Sequence, residues 1–72
     1  KIVTGKIEAY YPPKGNGPHS VKMFGTYYKT FDANMGQNLS DMKMGGMEVT
    51  LVYKIDQGEK YTNNMILSAK AV

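Results

Sequence analysis

The stretch Met47-Glu48-Val49-Thr50-Leu51-Val52-Tyr53-Lys54-Ile55 carries an apolar residue at every second position. That period of two puts Met47, Val49, Leu51, Tyr53 and Ile55 on one face of an extended chain. A strand with one apolar face needs a sheet beside it and a core beneath it. Helical periodicity is weak almost everywhere else, so most of the burial must come from further strands.

Those strands can be read along the chain. Ile2 to Tyr11 alternates, with Val3, Gly5, Ile7, Ala9 and Tyr11 on one face and Lys6, Glu8 and Tyr10 on the other. Gly5 inside that run suggests a bulge or bend. Pro12, Pro13, Gly15, Asn16, Gly17 and Pro18 make a loop, since neither strand nor helix tolerates that composition. His19 to Phe31 reads as a hairpin turning near Phe24-Gly25-Thr26, or as one sharply bent strand. Between Asp32 and Met44, Asp32 or Asn34 can cap one or two helical turns, with Leu39, Met42 and Met35 available for the apolar side. Gly36 weakens that helix and leaves it poorly anchored. Gly45-Gly46 ends it. Asp56 to Glu59 is a turn, and Lys60 to Val72 is a last strand, kinked near Asn63-Asn64.

Length and composition then limit what these elements can build. A chain of 72 residues is one small domain, burying only about 60% of the surface its unfolded form exposes. It has no cysteine, which excludes disulfides and thiolate metal sites. His19, the one histidine, cannot hold zinc without carboxylates or a second chain, and no metal or cofactor is expected. No apolar run approaches the ~20 residues of a membrane span, so the expectation is a soluble cytoplasmic protein without membrane contact. The net charge is +3, and all nine basic residues are lysine. Without arginine, the usual bidentate reader of guanine edges is missing, while lysine suffices to track a phosphate backbone.

The sum is an all-β domain over residues 1–72, with five strands and a short helix between strands 3 and 4. So small a sheet would expose long edges, and closure into a barrel removes them. The element order fits a five-stranded OB-fold-like Greek-key barrel. An SH3-like barrel is the nearest competitor, but it would not normally carry a helical insert in mid-chain.

Several segments in this order are similar to the small OB-fold single-stranded-DNA-binding proteins of bacteriophages and bacterial mobile elements. They are Gly5-Lys6-Ile7, Pro12-Pro13-Lys14-Gly15, Gly25-Thr26-Tyr27-Tyr28 followed by Phe31, Gly46-Met47-Glu48-Val49, and Tyr61-Thr62-Asn63-Asn64. The match covers nearly the whole chain. It departs where the family often has tryptophan, at Tyr27 or Tyr28, and in the methionine-rich helical segment. The resemblance implies non-specific binding of single strands in replication or recombination, inside a bacterial host cell.

Two residue sets suit that chemistry. Unpaired bases stack on exposed rings, each worth roughly 1–3 kcal/mol, and the rings available are Tyr10, Tyr11, Phe24, Tyr27, Tyr28, Phe31, Tyr53 and Tyr61. Core packing is the competing use of a tyrosine in a small barrel. Neighbours in a strand point to opposite faces, so one of Tyr10 and Tyr11, and one of Tyr27 and Tyr28, lies inside. The strand phase makes Tyr10 the outward member of its pair and leaves the second pair open. Lys6, Lys22 and Lys29 interleave with these rings, and Lys14 sits in the first loop. Simple solvation is the competing role for each lysine. The expected nucleic-acid-binding set is Lys6, Tyr10, Lys14, Lys22, Phe24, Tyr27, Tyr28 and Lys29.

Met23, Met42, Met47 and Met65 are expected to fill core gaps. The acidic residues show no paired spacing for acid–base work, and no nucleophile or phosphate-loop motif is present, so an enzyme is not expected. The leading expectation is a single-stranded DNA binder that works as a homo-oligomer, because one small barrel offers few stacking positions. A protein-interaction barrel using the Met35–Met47 stretch is the second reading. An RNA-binding OB domain is the third, with Lys14-Gly15-Asn16-Gly17 faintly similar to a cold-shock segment.

Overall fold

The computed structural model describes all residues from Lys1 to Val72. The elements are β1 (Ile2–Lys6), β2 (Ala9–Tyr11), β3 (His19–Met23), β4 (Thr26–Thr30), α1 (Ala33–Met44), β5 (Glu48–Gln57) and β6 (Thr62–Ala71). The strands form one sheet in the order β1-β5-β6-β4-β3-β2. Neighbours are antiparallel except β4 and β6, which run parallel and meet at Lys29 and Met65. The molecule is thus mostly β with one helix, as the alternating patterns require.

The strand count is six rather than five, because the expected first strand breaks at Ile7-Glu8. Its halves occupy opposite edges of the sheet: β1 lies along β5, and β2 along β3. Laid flat, six strands would hold their outer members about 24 Å apart, five spacings of ~4.8 Å. Only three peptide steps separate Lys6 from Ala9, and these reach about 11 Å. The sheet must therefore curl. No ladder joins β1 to β2, so the sheet is curled but not closed, and it has six strands where a five-stranded Greek-key barrel was expected.

Gly5 is not where the strand bends. It stays in regular register opposite Val49, and what its missing side chain allows is contact: a Cβ there would lie 2.5 Å from the Phe24 ring. Phe24 and Gly25 form a two-residue turn between β3 and β4, both with positive φ (51° and 74°). Such a turn matches the right-handed twist of its strands. Glycine adopts it freely, and Phe24 does so at a cost of about 1 kcal/mol.

The helix is longer than the sequence suggests, at 12 residues. Asp32 caps it, accepting the N–H groups of Asn34 (2.9 Å) and Met35 (3.1 Å) on Oδ1. Tertiary packing overrides the weak propensity. Leu39 is fully buried, Met35 and Met42 pack against the core, and Gly36 rests on His19. Gly46, at φ 65°, ends the helix in the left-handed region, the usual stop for a helix.

The core is Ile7, Val21, Met23, Tyr28, Leu39, Val49, Leu51 and Ile66. Of the expected methionine fillers, Met23 and Met42 serve. Met47 is exposed, and Met65 is half-buried on the outer side beside Lys54 and Lys29. The last strand is not kinked at Asn63-Asn64, which pair regularly with Asp56 and Ile55. The irregularity comes later: pairing jumps from Tyr53–Ile66 to Val52–Ser68, leaving Leu67 as the extra residue of a bulge. That slip lets β5 bury Val49 and Leu51, and pack half-buried Tyr53, against a partner with a different phase.

Candidate nucleic-acid interface

Residues opposite one another in a ladder share a face, so the register shows what the outside of the sheet displays. Tyr11 is opposite Ser20, Ser20 opposite Lys29, Lys29 beside Met65, and Met65 opposite Lys54. The next row is Ala9, Lys22 and Tyr27. The intervening row, Tyr10, Val21 and Tyr28, points inward. Both inward tyrosines are held by aromatic neighbours: Tyr10 shares a 2.7 Å hydrogen bond with His19 Nδ1, and the Tyr28 ring packs edge-on against Tyr53 with centroids 4.9 Å apart. Burial pushes the Tyr28 hydroxyl pKa above its ordinary value, and Tyr53 adds to the rise.

The outer rows hold two half-exposed rings, Tyr11 (43%) and Tyr27 (49%), with centroids 6.0 Å apart and planes tilted by 46°. Lys22 Nζ lies 5.8 Å from the Tyr27 centroid, within cation–π range. Lys29 Nζ donates to Asn63 Oδ1 at 3.2 Å. The Asn64 side-chain amide donates to the Tyr27 carbonyl at 3.1 Å, tying β6 to β4. An open groove of ≈ 600 Å³ runs here, lined by Tyr27, Lys29, Tyr61, Thr62, Asn63 and Asn64. Asp56, opposite Asn63, and Glu48, opposite Lys6 near the other end of β5, are the carboxylates the ladders place on this side.

Of the expected site residues, the structure brings Lys22, Tyr27 and Lys29 together. Tyr28 faces inward and is 4% exposed, so it presents no ring face. Tyr10 also faces inward, contrary to the strand phase, because the break at Ile7-Glu8 shifts the alternation and makes Tyr11 the outward member. Phe24 is exposed at the turn tip, with its ring against Gly5. Lys6 sits on the far edge opposite Glu48. Lys14 lies in the loop, where its carbonyl accepts the Gly17 N–H at 3.0 Å. Tyr11 and Tyr61, counted among the available rings, and Asn63 lie beside these residues although the expected set did not include them. The signal for Tyr61 and Asn63 was an aromatic and two asparagines at the opening of a strand, but only the β4–β6 pairing brings them to Tyr27.

No group of three or more histidine, cysteine, aspartate or glutamate side chains is placed to hold a metal ion. No helix is long and apolar enough to cross a membrane. No family model, curated protein or solved structure matches the chain.

Proposed function

We propose that this chain is a non-enzymatic OB-fold module that binds single-stranded DNA without sequence preference along its backbone, in phage-type replication or recombination in the bacterial cytoplasm. The observation that carries this reading is the outer face of β2, β3 and β4, where Tyr11 and Tyr27 stand exposed beside Lys22 and Lys29. Rings take up unpaired bases, and ammonium groups neutralise the phosphates between them. A duplex keeps its bases stacked inside and cannot use the rings.

Topology supports the fold assignment. Taken as one bent strand, Ile2–Tyr11 supplies both edges of the sheet, the helix falls between the third and fourth strands, and the third and fifth run parallel. This order matches that of a partly open Greek-key barrel, whose ligands lie across the second and third strands and the nearby loops. One module offers few rings, so several copies side by side would hold a long strand.

Titration of fluorescent oligo-dT against duplex DNA of equal length, at two salt concentrations, tests the proposal. The single strand should bind tighter, and more weakly as salt rises. Negligible binding to both rejects the reading. Stronger binding to matched RNA would move the module to RNA. An oligomer that binds neither would favour the interaction-barrel reading, in which Met44 (81% exposed) and Met47 (47% exposed) form a subunit contact.

A further inference from the structure

We infer that the groove between β4 and the opening of β6 is a seat for a single nucleobase, clipped between the Tyr27 and Tyr61 rings, with its phosphate at Lys29. This inference rests on the single-strand reading above. The groove, at ≈ 600 Å³, falls within the roughly 300–1,000 Å³ of small-molecule sites, and it is open, so a base can enter while its backbone stays outside. Two rings line it, and Tyr61 is 74% exposed, held by no core contact. A lone exposed ring is ordinary; a second ring lining the same groove provides a surface for the other face of the base.

The polar floor is fixed rather than merely polar. Asn63 Oδ1 is occupied by Lys29, which leaves the Asn63 amide N–H as a donor into the groove. The Asn64 amide N–H is occupied by the Tyr27 carbonyl, which leaves its Oδ1 as an acceptor. Both asparagines line the groove, so it offers one donor and one acceptor, the two kinds of group that a base edge pairs with. Lys29 is held in place by Asn63, so its charge is positioned before a phosphate arrives. The clip therefore adds one base-reading position to an otherwise sequence-tolerant face.

The test uses an eight-nucleotide oligo-dT with one 5-iodouracil, irradiated with the full chain, and the adduct mapped by mass spectrometry. Adducts at Tyr27 or Tyr61 are expected. Tyr61→Ala should weaken oligo-dT binding about tenfold with an unchanged melting temperature, and Tyr61→Phe should restore it. Adducts confined to Tyr11 or to other residues, or wild-type affinity in Tyr61→Ala, overturn the clip while leaving the single-strand reading intact. Failure of the wild-type chain to bind the oligonucleotide overturns both.

Discussion

Gly36 of α1 lies flush against the imidazole of His19 on β3, so that any Cβ at position 36 would run into the ring. Alanine at a mid-helix glycine normally stabilises by roughly 0.5–1 kcal/mol. Here the contact reverses the sign. Gly36→Ala should destabilise by about 1–3 kcal/mol, the usual cost of overpacking, and His19→Ala in the same chain should recover part of the loss. Urea unfolding of the two variants checks this; a stabilised Gly36→Ala would mean that the helix rides clear of the sheet.

The helix start gives a second prediction. Asp32 accepts two backbone N–H groups at the N-terminus of α1. Asp32→Ala should cost about 1 kcal/mol of stability, and Asp32→Asn much less, read as shifts in the urea midpoint.

Adjacent tyrosines should divide binding from folding. Tyr27→Ala removes an exposed ring and should weaken single-strand binding by about 1–3 kcal/mol with little change in melting temperature. Tyr28→Ala empties a core site and should cost about 3–5 kcal/mol of stability. Lys29→Ala should reduce the salt slope of log affinity by about 0.7, one phosphate contact on a single strand. An unchanged slope would remove Lys29 from the interface.

Alkaline pH offers a fourth. Burial makes the Tyr28 hydroxyl harder to ionise in the folded chain than a free tyrosine, whose pKa is about 10. Above that value the unfolded chain loses a proton that the native state retains, so protons bound favour the native side. Stability from this group is present below pH 10 and is lost as pH rises through the higher folded value. Tyr28→Phe should therefore show a smaller drop in melting temperature between pH 9 and pH 11.5 than the parent chain.

The parts of the molecule legible in the sequence are those decided locally. Alternation marked β5, Phe24-Gly25 marked the hairpin turn, and Asp32 marked the cap. The misread parts were decided by distant partners. Nothing in Ile2–Tyr11 says that Ile7 and Glu8 leave one edge for the other, and that break exchanged the roles of Tyr10 and Tyr11. The full length of α1 depends on the seat that Leu39 finds in the core and on His19 accepting Gly36. The site divides in the same way. Lys22, Tyr27 and Lys29 belong to one hairpin and were found together. Asn63 and Asn64 join them from 34 and 37 residues away in sequence, through a parallel pairing with no periodic signature.

The split first strand also sets an order of assembly. The Lys1 amino group donates to the Tyr53 carbonyl across 52 positions of chain, whereas β2, β3 and β4 meet over short separations. Closing the longer loop carries the larger entropy cost, and contacts of such span slow folding. On a ribosome the hairpin region can form while β1 waits for residues 48–57 to emerge. β1 then joins β5, and β6 completes the sheet only when residues 62–71 follow, bridging β5 to the hairpin that formed first.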